Sequence, residues 1–175
     1  HAAAAGAEEG RGHHLLEPAG GWQHEGYFGV YDQNALQRGF KVYREVCSSC
    51  HSMKLLAFRH LGEKGGPFYM AEFPNPNDNP KIKALAAEYQ IAGFDPETGD
   101  PATFPGKPSD RFPSPYANEA AGRALNGGAY PPDFSVIAKA RHGGAGYIYS
   151  LLLGLVEPPS GLNVAPGQHY NAYFA

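Results

Sequence analysis

Apolar residues recur with a helical period in only a few short stretches of the chain. After residue 33, Leu36, Phe40 and Tyr43 fall at i, i+4 and i+7, which gathers them on one helical face, and Asp32 or Asn34 can cap the free N–H groups of the first turn. The helix so predicted runs straight into Cys47. A second helix is predicted from Asn79-Pro80, a cap followed by a first-turn proline, through about Gln90, with Ile82, Leu85, Ala86 and Tyr89 on one stripe. Three more are predicted: Asn118 to Leu125, Asp133 to Arg141 entered through Pro131-Pro132 and stopped by Gly143-Gly144, and Gly146 to Leu155 stopped by Pro158-Pro159. No internal repeat and no convincing strand ladder is visible.

The stretches between these segments lack a period. Residues 64–79 and 93–117 are dense in proline and glycine and read as loops, the second unusually long for a compact domain. Residues 1–33 carry scattered aromatics (Trp22, Tyr27, Phe28, Tyr31) and read as an irregular arm that packs by those rings. The expected organisation is this arm followed by one domain over residues 34–175.

Composition sharpens the picture. The 175 residues include 23 glycines and 16 prolines, so regular secondary structure alone cannot organise the chain, and a large apolar cofactor would give scattered helices and loops a common surface. A formal charge of −3 without runs of Lys or Arg excludes the clustered cations that nucleic-acid binding needs. From Glu72 to Glu119 eight carboxylates face Lys81, Lys83, Lys107 and Arg111; this mildly acidic stretch is either a solvated loop face or an attraction for a basic partner. The start, His1-Ala2-Ala3-Ala4-Ala5, has no charged region followed by an apolar core and reads as a processed N-terminus. The longest nearly apolar run, Tyr147 to Val156, is about half of the ~20 residues a membrane-spanning helix needs, which predicts a chain soluble as given.

The two cysteines lie in Cys47-Ser48-Ser49-Cys50-His51, the C-x-x-C-H signature of c-type haem attachment. Positions three apart share a helical face, so both thiols can reach the two vinyl groups on one porphyrin edge, while His51 offers a neutral imidazole nitrogen to the iron. A zinc site would need two more ligands, and no second cysteine pair or closely spaced histidine pair supplies them. A thioredoxin-like dithiol would need a strand before the motif, where an amphipathic helix is predicted. The remaining histidines, His60 and His142 among them, have no ligand spacing among themselves.

Around this motif the sequence becomes more specific. Arg38-Gly39-Phe40-Lys41-Val42-Tyr43-Arg44-Glu45-Val46 before it, Ser52-Met53 and Phe58-Arg59-His60-Leu61 after it, then Asn126 to Ser135, Ala140 to Gly144, Glu157-Pro158-Pro159 and His169 to Phe174, together resemble the cytochrome c1 family. These are the haem-bearing subunits of the cytochrome bc1, or quinol:cytochrome c oxidoreductase, complex. The resemblance runs from about Trp22 to the end of the chain. It implies a mostly α, class I c-type cytochrome-like fold around a single covalent haem c, with long irregular loops, so that residues 34–175 form the haem domain.

Further roles are implied by the resemblance. Arg141 corresponds to an arginine that pairs with a haem propionate, although a cation at a helix C-terminus would look the same. Tyr147 corresponds to a haem-contacting tyrosine, or is an aromatic packed in a helix stripe. Pro131 and Pro132 line the proximal face of the haem, start the next helix, or do both; Asn126 satisfies a propionate or backbone groups, or caps a helix. Tyr43, one turn before Cys47, belongs to the pocket or to the core. The family's sixth iron ligand is a methionine in a Met-x-Pro-Pro-like stretch beyond the Asn-x-Tyr-Phe segment, and both it and the C-terminal membrane anchor lie past Ala175, so the chain is expected to be incomplete. Met53 falls on the wrong side of the iron, and Met70 would reach it only if its loop folded over the distal face.

The implied function is one-electron relay by a subunit that is not an enzyme by itself. It would assemble with cytochrome b and the Rieske iron–sulfur subunit, accept electrons from the latter and pass them to a cytochrome c. The setting would be the periplasmic side of a bacterial inner membrane or the intermembrane-space side in a mitochondrion. The alternative is an open-site haem protein that binds a small gas or acts on peroxide.

Overall fold

The computed structural model describes residues 14–174, so the first part of the N-terminal arm lies outside the described residues. The chain divides into two compact units, one spanning Gln23–Ile137 and the other joining the chain up to Trp22 with the stretch from Ala138 onward.

In the larger unit, α1 (Gln33–Glu45) begins where Asp32 accepts a hydrogen bond from the Ala35 N–H. The carboxylate there satisfies one of the four N–H groups that a helix start leaves without a partner. α2 (Pro80–Ala87) is capped by Asn79, whose Oδ1 accepts from the N–H groups of Lys81 (2.9 Å) and Ile82 (3.4 Å) while its amide donates to the Phe68 carbonyl at 2.8 Å. α3 (Glu119–Leu125) is capped by Asn118 through the Ala121 N–H. A ring of Tyr130 lies against Gly122 so closely that a Cβ there would come within 2.5 Å of it, which explains glycine in the middle of this short helix.

The core of this unit is small and aromatic. Phe58 and Leu61, on a 3₁₀ turn over Phe58–Gly62, meet Ile82, Leu85 and Ala86 of α2 and Phe112 of the returning loop. The Phe58 and Phe112 rings lie 4.4 Å apart, and α1 joins through Phe40 and Tyr43, whose rings sit 6.2 Å and 6.4 Å from that of Phe112. Backbone bonds from Phe58 N–H to Asp110, Arg59 N–H to Pro108 and Phe112 N–H to Leu56 pin the chain just after the C-x-x-C-H motif against residues 108–112. The motif is therefore tied on one side to α1 and on the other to the core.

Several expectations are corrected. The fold is not simply mostly α: helices cover a minority of the described residues, and an antiparallel hairpin, β1 (Gln90–Phe94) with β2 (Pro101–Pro105), occupies the stretch expected to be a loop without strands. Its register pairs Gln90 with Pro105 and Phe94 with Pro101. The turn is closed by Asp95, whose Oδ1 accepts from the N–H groups of Glu97 and Thr98, and by Gly99 at φ +76°, a left-handed conformation suited to glycine. β1 also ends α2 at Ala87, short of the expected Gln90. Nor does the arm pack by all its aromatics, since Tyr27 and Phe28 contact each other edge-on yet are 95% and 88% exposed.

In the smaller unit, α4 (Ile137–Ala140) is only one turn, the remnant of a helix expected from Asp133. Gly143 and Gly144, at φ +82° and +53°, turn the chain into α5 (Gly144–Leu153), which starts and ends two residues before the predicted Gly146 and Leu155. Leu155 instead forms an antiparallel bridge with Asn171, and the Asn171 amide donates to the Leu151 carbonyl at 2.6 Å, satisfying the helix end. The buried Ser150 hydroxyl accepts from the Leu16 N–H at 2.7 Å, and Trp22 meets Tyr149 edge-on at 5.6 Å. No helix among the described residues is long and apolar enough to cross a membrane.

Asn79 is fully buried and holds three backbone groups at once. Asn79→Ala removes a cap and strands the Phe68 carbonyl, so urea denaturation should show a loss of about 2–3 kcal/mol.

Candidate cofactor site

α1 ends at Glu45, and Cys47–Ser49 form a single 3₁₀ turn with Cys50 as its cap. The cysteines therefore do not share an α-helical face as expected. A 3₁₀ helix has three residues per turn, which stacks i directly over i+3 and aligns Cys47 with Cys50 more closely than an α-helix would. The Cys50 and His51 N–H groups both donate to the Cys47 carbonyl, at 3.1 and 2.8 Å, closing the turn. The intervening serines are spent on α1: the Ser48 and Ser49 hydroxyls donate to the carbonyls of Arg44 and Val46, both at 2.8 Å.

Both cysteines are free thiols, partly buried. Burial pushes the Cys47 thiol up from its ordinary value. A redox dithiol needs the opposite shift, toward a reactive thiolate, and an α-helix rather than a strand precedes the motif.

His51 is held at two points. Its backbone carbonyl accepts from the Tyr43 hydroxyl at 3.0 Å, and its ring Nδ1 lies 2.9 Å from the Pro132 carbonyl, 81 residues away. A carbonyl only accepts, so this contact requires the proton on Nδ1 and leaves the Nε2 lone pair for a metal. Burial, followed by Tyr89, Asp133 and Cys47, pushes the Tyr43 hydroxyl up to about 12, so it remains a donor at neutral pH. The His51 ring also stacks on Phe134, with centroids 3.9 Å apart and planes 16° from parallel.

The Pro132 carbonyl arrives on a segment without helix or strand. Asp133 Oδ2 accepts from the Ser52 hydroxyl (2.7 Å) and the Lys54 N–H (3.0 Å), while its Oδ1 accepts from the Ser135 N–H (2.9 Å). The Phe134 N–H donates to the Ser52 carbonyl at 2.7 Å, and the Leu55 N–H to the Ser135 hydroxyl at 3.0 Å. This explains why the helix expected from Asp133 begins only at Ile137: the carboxylate is committed across the chain. Pro131 and Pro132 accordingly start no helix.

The predicted site residues fall in both units. Cys47, Cys50, His51 and Pro132 come together, and Pro131 is the half-buried neighbour of Pro132. Asn126 caps α3, its amide donating to the Gly122 carbonyl (2.7 Å) and the Tyr116 hydroxyl (2.9 Å). Arg141, exposed, and Tyr147, half-buried on α5, belong to the other unit. Met53 packs against the core cluster, and the His60 Nδ1 accepts from the Ala57 N–H at 3.0 Å. Ser52, Asp133, Phe134 and Ser135 were not foreseen as site residues. Beyond lying in segments that carry the family resemblance, they showed only an Asp beside two prolines, which reads equally well as a helix start.

Among the described residues no group of three or more His, Cys, Asp or Glu side chains could hold a metal ion, so the histidine has no protein co-ligands of a zinc type. The donor set fits a covalent haem instead: two free thiols on one turn and one imidazole with Nε2 available. Val46, Leu55 and Val136, chain neighbours of these segments, are 66%, 51% and 53% exposed, and such apolar surface suits the face of a porphyrin.

The model of the Cytochrome C1 family matches residues 22–175. The chain is similar to a mitochondrial cytochrome c1 heme protein of Arabidopsis thaliana, with 46% identity over 162 residues, covering 93% of this chain and 49% of that protein. It is similar to the mitochondrial cytochrome b-c1 complex catalytic subunit of Candida albicans, 44% identical over 163 residues, or 93% of this chain and 53% of that one. A cytochrome b/c1 of Bradyrhizobium diazoefficiens is 42% identical over 176 residues, covering 90% of this chain and 24% of that protein. The chain spans about half the length of the mitochondrial relatives.

Burial acts to raise the Asp133 carboxyl, but the Ser135 and Ser52 hydroxyls and the Lys54 and Ser135 N–H groups outweigh it and hold the group at about 2, below its ordinary 3.8. A carboxyl depressed on folding stabilises the fold above its unfolded pKa, and that contribution is lost as pH falls through the folded one. Urea midpoints should therefore decline between about pH 4 and pH 2, and Asp133→Asn should lower the midpoint at pH 7 while flattening that decline.

Proposed function

Because the chain belongs to the cytochrome c1 family, we propose that it carries one covalent haem c and relays single electrons within a cytochrome bc1 complex. The observation that carries this reading is the His51 ring: its Nδ1 is committed to the Pro132 carbonyl, which leaves the Nε2 lone pair available, among the described residues, beside a turn bearing two unbridged thiols.

In this reading Cys47 and Cys50 would hold the haem as thioethers, each thiol adding its sulfur to one carbon and its proton to the other carbon of a vinyl group, so attachment would consume no oxidant. His51 would hold the iron through Nε2. Its Nδ1–H bond to Pro132 raises the basicity of the ligating nitrogen and fixes the ring's rotation. Tyr43 holds the backbone of the same residue, and Pro131 and Pro132 form the proximal wall. Asn126 acts by holding the loop that leads to Tyr130 and Pro131. Arg141 would pair with a propionate, and Tyr147 would contact the macrocycle. The bound haem supplies a one-electron iron couple, with potential set by ligation, burial and hydrogen bonding. The surrounding core is of the class I c-type cytochrome kind.

The partners follow from the same reading. The chain accepts electrons from a Rieske iron–sulfur protein, assembles with cytochrome b and delivers to a cytochrome c. It works on the periplasmic side of a bacterial membrane or the intermembrane-space side in mitochondria, and is a carrier rather than an enzyme by itself.

Expressed with a haem-attachment system, the chain should show Soret absorption that survives acid–acetone extraction and a mass one haem above the polypeptide. Cys47→Ala/Cys50→Ala should lose the extraction-resistant haem. A bare polypeptide mass for the unaltered chain would overturn the reading.

A further inference from the structure

His51 depends on the Pro132 carbonyl, but nothing intrinsic keeps that carbonyl in place. Residues 131–136 form neither helix nor strand, and two of them are prolines, which donate no backbone hydrogen bond. The segment must be held by other means. Asp133 follows Pro132 directly, and its carboxylate accepts three hydrogen bonds, two of them from Ser52 and Lys54, within three residues of His51. The Ser52 side is buried, at 6% exposure, so a poorly matched partner there would be costly. The flanking bonds from Phe134 to Ser52 and from Leu55 to Ser135 run between the same two segments. The carboxylate is the only charged group in this set, and charge-assisted bonds are the strong ones.

We infer that Asp133 is a positioning residue for the proximal histidine: by clasping residues 131–135 onto 52–55 it holds the Pro132 carbonyl on His51 Nδ1. It thereby determines which ring nitrogen keeps its lone pair and how strongly that nitrogen donates. The inference rests on the haem reading above. Asp133→Asn is an incisive change. The shape is kept, but an amide can no longer accept from both Ser52 and Lys54 at one end and from Ser135 at the other without turning an N–H toward a donor.

The test uses the full haem-bearing chain, ¹⁵N-labelled at histidine and reduced. Solvent exchange of the His51 Nδ1–H is followed by NMR and the midpoint potential by redox titration. Losing one charge-assisted clasp should speed that exchange roughly tenfold or more. The potential should rise as the weakened bond makes His51 a poorer donor to ferric iron. The exchange is measured in about 0.5 M salt, where the missing charge by itself is largely screened. Asn79→Ala, which loosens the fold elsewhere, should lower the unfolding midpoint without moving either reading. If Asp133→Asn fails to retain haem, Ser52→Ala keeps the carboxylate, removes one bond and should give a smaller change in the same direction. Exchange and potential unchanged in a haem-bearing variant, or Asn79→Ala moving them equally, would overturn this inference alone. An unaltered chain without Soret absorption would overturn the haem reading and this inference with it.

Discussion

A neutral imidazole has two ring nitrogens and one proton, and only the nitrogen without the proton can bind a metal. In this chain a backbone carbonyl takes the choice away: Pro132 stands 2.9 Å from His51 Nδ1. Everything else near the motif bears on that contact. α1 delivers the cysteine turn, Tyr43 anchors the backbone of His51, and the hydrogen bonds of residues 52–55 fasten the segment that carries the carbonyl. If the carbonyl moved, the ring would be free to rotate and to exchange tautomers, and the donor set would no longer be prepared for one ligand geometry.

That requirement accounts for the location of the core. Among the described residues the buried apolar side chains, from Ala57 to Phe112, are few, and they lie directly behind the motif. Phe112 touches Phe40, Tyr43, Phe58 and Tyr89, so one ring links α1, the 3₁₀ turn at Phe58 and the end of α2. Packing at this density resists small displacements. The rigid part of the larger unit therefore sits where the proposed ligand must be held still, while the hairpin and the exposed rings of Tyr27 and Phe28 are attached to it with little burial.

The two departures from the elements that the sequence pattern predicts have a common origin. An Asp after two prolines ordinarily caps a helix, but the Asp133 carboxylate accepts from Ser52 and Lys54 instead, and the helix is a single turn. Prolines and glycines interrupt residues 93–117 and argue for a loop, although Asp95 and Gly99 form a turn that lets two five-residue strands, Gln90–Phe94 and Pro101–Pro105, pair. In both cases a short-range preference competed with a partner, and the partner prevailed.

Contiguous chemistry is legible along the chain alone. Cys47, Cys50 and His51 are neighbours along the chain, and their spacing carries its meaning without any knowledge of the fold. The cap at Asn79 was likewise visible, and Asp32 was one of two candidates with Asn34, because a cap acts within three residues of itself. Which nitrogen of His51 is available, and what holds it so, emerges from the folded chain. Its partner is a main-chain oxygen 81 residues away, and every residue type carries that group, so no pattern of side chains marks the one that will be used.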